Sequence, residues 1–127
     1  MPSPESTPSL ILASGSPRRH ALLKAAGIKF TITESGIDER RNDGEDGTAF
    51  ALRMAREKAL SVSIRSRAEL VLAADTIVEC GGEVLGKPAD SDAARRSLRM
   101  LAGRTHTVVT AYALARNGSI IESAAVI

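Results

Sequence analysis

The sequence predicts an α/β fold, and three features carry that reading. Short apolar runs, Leu10-Ile11-Leu12 and Val71-Leu72-Ala73-Ala74 among them, alternate along the chain with segments of helical period, the pattern of strands interleaved with helices. The run from Val71 to Ala74 has no polar interruption, as expected of a strand covered on both faces. Two tight-turn signals, Gly81-Gly82 and Asn117-Gly118, each separate strand-like stretches and predict hairpins. With 127 residues the chain fits one domain. That domain is read as residues 10–127 behind a flexible leader, residues 1–9, which is rich in Pro and Ser but lacks the basic and apolar regions of a signal peptide.

The elements follow in order. Leu10 to Ala13 is a short buried strand, stopped by Ser14-Gly15-Ser16. Ser16 is placed to cap a helix and Pro17 suits its first position, where no backbone donor is needed. Leu22, Leu23 and Ala26 then share one side, so Pro17 to Ala26 is predicted as an amphipathic helix ended by Gly27. Ile28 to Thr33 alternates in the β manner, and Glu34 to Arg41 leaves it as a turn carrying three carboxylates, with a polar surface loop from Asn42 to Gly47.

Thr48 is predicted to cap a long helix reaching about Arg65, because Leu52, Ala55, Ala59 and Val62 recur at helical spacing. Lys58 borders that stripe, as a lysine does when its stem lies along the apolar surface or when its ammonium has work nearby. Leu70 to Val78 is strand-like, and Asp75 directly after its apolar run requires a partner. A neighbouring turn or a functional cation would each serve. The Gly81-Gly82 hairpin returns through Glu83-Val84-Leu85 and presents Lys87 between Gly86 and Pro88, at the same end of the sheet as Asp75. Asp90 or Ser91 caps a third helix with Ala94, Leu98 and Leu101 inward and Gly103 at its end. Thr105 to Ala115 alternates as a long strand, Asn117-Gly118 turns it, and an apolar strand runs from Ser119 to Ile127. A terminal strand without cap or polar tail predicts a chain truncated at its C-terminus, and its open edge favours a homodimer or instability.

Composition removes several function classes. No Trp, one Tyr, two Phe and a net charge of +2 offer neither the stacking platforms nor the basic groove of a nucleic-acid binder. No stretch approaches the ~20 apolar residues of a membrane span. A single cysteine, Cys80, provides neither disulfide nor metal cluster and reads as a packing residue. His20 and His106 stand apart from any nucleophile motif. The chain is therefore expected to be soluble and cytoplasmic, without nucleic-acid or membrane partners.

What is left is polar and clustered at element ends: Ser14, Ser16, Arg18 and Arg19; Asp38 and Glu39; Lys58; Asp75 and Thr76; Lys87. The first loop, Ala13 to Arg19, reads either as a plain strand-to-helix turn or as a phosphate cradle whose free backbone N–H groups face an anion. Two arginines at the already positive end of a helix favour an anion nearby. Cations with paired carboxylates suit phosphoanhydride chemistry, since arginine and lysine neutralise polyphosphate while carboxylate oxygens hold Mg²⁺. The chain lacks a Walker loop and a dinucleotide-binding glycine fingerprint.

Six motifs in sequence, Leu12-Ala13-Ser14-Gly15-Ser16-Pro17-Arg18-Arg19, Gly36-Ile37-Asp38-Glu39, Ala55-Arg56-Glu57-Lys58-Ala59, Ala74-Asp75-Thr76-Ile77-Val78, Leu85-Gly86-Lys87-Pro88 and Ala102-Gly103-Arg104-Thr105-His106 with Val108 and Thr110, resemble the Maf family of nucleoside triphosphate pyrophosphatases. The resemblance implies an elongated mixed sheet flanked by helices, similar to inosine triphosphate pyrophosphatases, with a cleft between two lobes. It implies hydrolysis of the α–β bond of a nucleoside triphosphate with a divalent cation, Mg²⁺ or Mn²⁺. By motif, Asp75 is the proton acceptor; Arg19, Lys58 and Lys87 face the polyphosphate, with Ser14 and Ser16 in its cradle; Glu39 is the second carboxylate, so that Glu39 and Asp75 are the expected metal ligands. Arg18 and Thr76 stand at specificity positions and match the branch acting on dTTP and UTP, a house-cleaning role that extends to modified pyrimidine nucleotides. Family members continue beyond the last hairpin, so the alternative is an inactive or partner-dependent nucleotide-binding fragment.

Overall fold

A computed structural model describes residues 10–40, 42, 44–66, 69–81, 83–85, 90–103 and 105–127, with only the backbone described for Glu83, Leu85, Ser97, Met100 and Leu101. The expected leader, the Gly86-Lys87-Pro88 segment and Arg104 lie outside the described residues. Strands β1 (Leu10–Leu12), β2 (Phe30–Ile32), β3 (Leu70–Cys80), β4 (Glu83–Leu85), β5 (Thr107–Arg116) and β6 (Ser119–Val126) are interleaved with helices α1 (Pro17–Ala25), α2 (Gly47–Arg65) and α3 (Ser91–Leu101). The strands form one mixed sheet in the order β2-β1-β3-β5-β6, with β4 also on β3. The expected α/β class and mixed sheet are both present.

β3 organises the sheet. β5 runs antiparallel along one edge of it from Val71 to Glu79. The other edge is divided: β1 pairs parallel with Leu70 to Leu72, β4 pairs antiparallel with Val78 to Cys80, and between them the edge has no strand beside it among the described residues. Asp75 lies in the middle of this notch.

The core lies between α2 and one face of the sheet. Ala51, Met54, Ala55, Ala59 and Val62 of the helix meet Val71, Ala73 and Ile77 of β3 and Val109, Ala111, Ala113 and Ala115 of β5, all buried. Alanines on both sides let helix and sheet approach closely, which is how a chain poor in aromatics closes a core. The helix begins earlier than expected. Asp46, not Thr48, is the N-cap, its Oδ1 accepting from Ala49 N at 2.8 Å, because a carboxylate both caps and complements the dipole where a hydroxyl only caps.

The opposite face differs from expectation. β3 alternates in burial instead of being covered on both sides. α1 covers part of this face but buries no residue; its Leu22 is 69% exposed. Leu22 and Leu23 line an apolar groove of about 210 Å³ with Leu12, Leu72 and Ala74. Leu98 of α3, expected to face inward, is 68% exposed. The sides of α1 and α3 expected to face inward thus stand open, with no further layer on them among the described residues. The Asn117-Gly118 hairpin forms as predicted, with both residues at positive φ, and its Gly118 N–H donates to the buried Ser63 Oγ of α2 at 2.9 Å. Among the described residues no helix is long and apolar enough to cross a membrane.

Candidate active site

The loop after β1 turns at the notch in β3. Ala13 N–H continues the ladder to Leu72 O at 2.8 Å, and Ser14 then turns inward, 7% exposed. Its Oγ accepts from Ser16 N–H at 3.1 Å and from Arg19 Nη1 at 3.4 Å. With both lone pairs engaged, the Ser14 hydroxyl hydrogen is the donor left for a ligand. Ser16 caps α1 as expected, its Oγ accepting from Arg19 N–H at 3.4 Å. The backbone donors expected to be free are thus partly occupied: serine oxygens already hold the N–H groups of Ser16 and Arg19, and an anion must compete for them.

His20 was not singled out as a site residue, yet its Nε2 lies 2.8 Å from Ser14 O. A carbonyl only accepts, so Nε2 carries the proton and donates. The ring leans on Phe30, centroid to centroid 6.2 Å, and fastens the loop from behind. Nothing in the sequence signals this, because the contact depends on how α1 rises from the turn.

Arg19 spans the two strands. Nη1 reaches Ser14, while Nη2 donates to Thr76 Oγ1 at 3.0 Å. Burial depresses its pKa; Asp75 opposes that, adjacent Arg18 adds to it, and Glu39 opposes it again. Arg18 itself is exposed. A guanidinium keeps its charge through such shifts, so Arg19 remains a cation at the notch.

The carboxylates meet on the α2 side. Lys58 Nζ is 2.6 Å from Glu39 Oε1 and 3.2 Å from Asp75 Oδ1. Lys58 and Asp75 are largely buried while Glu39 is over half exposed. The lysine at the edge of the apolar stripe is therefore no solvated tip. Asp75 is not placed after its strand but within it, at the unpaired edge, where no turn donor is supplied and Lys58 serves as its partner. Burial raises the Asp75 pKa, the charge and hydrogen bond of Lys58 pull it back, Glu39 raises it, and Arg19 lowers it. A carboxylate so raised accepts a proton more readily than an ordinary aspartate.

Glu39 is delivered by a lashed loop. Arg53 of α2 donates to Arg40 O at 2.7 Å and pairs with Glu45 and Glu57. Ser61 Oγ donates to Ser35 O at 3.1 Å, and Arg65 to Glu34 O at 3.3 Å. Asp38, by contrast, turns outward to Arg40. Of the expected site residues, Ser14, Ser16, Arg19 and Thr76 gather at the β1 loop, Glu39, Lys58 and Asp75 gather beside α2, and Lys87 lies outside the described residues. Asp75 and Thr76, adjacent on β3, join the two groups.

The donor set fits a hard divalent cation. Glu39 and Asp75 aim oxygens at one common positive group, and among the described residues no cluster of three or more His, Cys, Asp or Glu exists to make a complete cage. Two carboxylates, completed by substrate phosphate and water, is a usual arrangement for Mg²⁺.

A family model described as "Maf-like protein" matches residues 9–126. The chain is 51% identical over 114 residues to a dTTP/UTP pyrophosphatase of Anaeromyxobacter dehalogenans, covering 90% of this chain and 57% of that protein. It is 47% identical over 115 residues to a dTTP/UTP pyrophosphatase of Escherichia coli strain K12, covering 90% of this chain and 58% of that protein. The chain thus spans a little over half the length of these relatives. Among solved structures, a HAM1 protein from Coxiella burnetii has the same fold with TM-score 0.58 at 20% identity, covering 94% of this chain and 68% of that one. The Staphylococcus aureus Ham1 protein gives TM-score 0.50 at 15% identity, covering 92% and 67%.

Proposed function

Since this chain belongs to the family of Maf-like proteins, we propose that it is a pyrophosphatase of nucleoside triphosphates, with dTTP and UTP as substrates, yielding the monophosphate and pyrophosphate in the cytoplasm. The observation that carries this reading is the convergence on one notch of a buried carboxylate of raised pKa, Asp75, a lysine shared with a second carboxylate, and a cradle of Ser14 and Arg19.

The roles follow from position. Arg19 and the Ser14 hydroxyl bind the polyphosphate and spread its charge, which is most of what phosphoryl transfer asks of a protein. Asp75 takes a proton from the attacking water, whose oxygen bonds to the α-phosphorus as the bond to the bridging oxygen breaks and pyrophosphate departs. Lys58 keeps Asp75 and Glu39 apart yet close, and Lys87 is assigned to the polyphosphate by its motif. Glu39 and Asp75 would hold Mg²⁺ or Mn²⁺, which supplies phosphoryl polarisation and a more acidic water. Arg18 and Thr76 are assigned to base selection by their motifs.

The test is product identity. With Mg²⁺ or Mn²⁺, dTTP and UTP are expected to give pyrophosphate rather than orthophosphate, and Asp75→Asn should lower turnover by about 10²- to 10⁴-fold, the usual worth of a general base. Release of orthophosphate, or an active Asp75→Asn variant, overturns the proposal. Calorimetric nucleotide binding without turnover would replace it with a binding role.

A further inference from the structure

Every fourth position of α2 from Arg53 onward carries a polar side chain: Arg53, Glu57, Ser61 and Arg65. Residues so spaced form one stripe along a helix, and this stripe faces the loop that carries Glu39. Ser61 and Arg65 hold the carbonyls of Ser35 and Glu34, and Arg53 holds that of Arg40. Further along the loop, Asp38, Arg40 and Asn42 stand across a cleft of about 690 Å³ from Arg53, Glu57 and Ser61. This stretch is not packed down onto the helix, so its place depends on polar ties.

Arg53 is built to make such a tie. Its Nε and Nη2 grip the two oxygens of Glu45 at 2.7 and 2.9 Å, Nη1 donates to Glu57 Oε2 at 3.0 Å, and Nη2 donates also to Arg40 O at 2.7 Å. The guanidinium carbon lies 5.6 Å from the centroid of the Phe50 ring. A rigid fork held by four hydrogen bonds and a ring face does not swing, and the carbonyl it holds is fixed with it. The N–H of Arg40 donates in turn to Asp38 Oδ1 at 3.2 Å, so both backbone polar groups of the residue after Glu39 are engaged. Glu39 itself is over half exposed where it meets Lys58. An exposed carboxylate keeps its place only while its backbone does.

We propose that Arg53 is a positioning residue: by holding the Arg40 carbonyl it sets where the Glu39 carboxylate stands, and through Glu39 it controls how tightly the site takes a nucleoside triphosphate complexed with a divalent cation. The inference rests on the nucleotide pyrophosphatase reading of the site. The four hydrogen bonds of Arg53 end on Arg40, Glu45 and Glu57, none of them placed in the chemistry, so its effect has to pass through Glu39. Outer partners that orient a metal-binding group in this way contribute about 10- to 100-fold to metal affinity or activity.

The experiment is a double-mutant cycle read by binding. Wild type, Arg53→Met, Glu39→Gln and the double variant are titrated calorimetrically with a UTP analogue bearing an imido bridge between the α- and β-phosphorus, with Mn²⁺ and again in EDTA. Each single substitution is expected to weaken binding with Mn²⁺ about tenfold, and the weakening should vanish in EDTA. The double variant should bind no more weakly than Glu39→Gln alone, because Arg53 then has nothing left to position. Glu57→Gln removes one bond of Arg53 but leaves that to Arg40 O, and should bind as the wild type does. Where Arg53→Met fails to fold, Arg53→Lys takes its place in the cycle, keeping the charge beside Glu45 with one nitrogen instead of three. A wild type that binds the analogue with Mn²⁺ but releases no pyrophosphate from UTP refutes the enzymatic reading alone. Losses that multiply in the double variant, a loss of equal size in EDTA or in Glu57→Gln, an Arg53 variant that binds as the wild type does, or a wild type that gains no affinity from Mn²⁺ overturns the inference.

Discussion

The ammonium of Lys58 donates to Asp75 Oδ1 at 3.2 Å, and this contact opposes the burial that raises the Asp75 pKa. If Asp75 is the proton acceptor, activity needs its ionised form. The acid limb of kcat/KM should then lie above the range of an ordinary aspartate, and Lys58→Gln, by removing the opposing charge, should move it to still higher pH. A pH–rate profile measures both. A limb in the ordinary range, or one unmoved in Lys58→Gln, refutes the assignment.

The same shift has a stability consequence of opposite flavour. A carboxyl with a folded-state pKa above its unfolded one makes the native protein bind more protons than the unfolded chain, so stability falls as pH rises from the unfolded value through the folded one, and the cost persists above it. Asp75→Asn at neutral pH removes that cost, and Lys58 keeps Glu39 as its partner at 2.6 Å. The variant should therefore lose activity while its Tm, read by calorimetry, stays level or rises. A marked fall in Tm would mean that the ion pair with Lys58 outweighs the burial.

Arg19 reaches Ser14 and Thr76 with two different nitrogens. A lysine has one nitrogen and cannot span them. Arg19→Lys is expected to raise KM for the triphosphate about tenfold, equivalent to one lost charged hydrogen bond, even though the charge is retained. Full activity in this variant would show that only the charge matters.

Ser63 offers a prediction remote from the chemistry. Its Oγ is fully buried and accepts from Gly118 N–H at the β5–β6 turn. Ser63→Ala leaves that donor without its partner and should cost about 1 kcal/mol in denaturant unfolding, with KM unchanged. An unchanged midpoint would show that the turn holds without its tie to α2.

The parts of this molecule legible in its sequence are those governed by local chemistry. Ser16 and Pro17 announce the start of α1, Asn117-Gly118 the last hairpin, and Asp75 its need for a partner, because each requirement is met within a few residues or by a strong penalty. What could not be read depends on the third dimension. The period of Leu22 and Leu98 tells which side of a helix is apolar, but not whether another layer lies on it. His20 acts through a carbonyl six residues earlier, reached only because α1 turns back over its own loop. The pairing of Lys58 with Asp75 and Glu39 is not legible either, because the pattern of α2 leaves open whether the lysine covers apolar surface or has an acidic partner on β3.

Among the described residues β1 pairs with β3 through Leu10 to Leu12 and the Ala13 amide, and Ile11 and Ala13 also enter the core built by β3, β5 and α2. The backbone ladder that fastens the cradle to β3 is short and its two sides come from distant parts of the chain, so it opens at lower free energy than the long β3–β5 ladder. On the proposed function, a nucleotide held by Ser14 and Arg19 on one side and by Lys58 and Asp75 on the other would act as a staple across it. Substrate occupancy and closure of that ladder are then linked by mass action: amide exchange along β1 would slow as nucleotide rises, and the ligand completes the architecture that binds it.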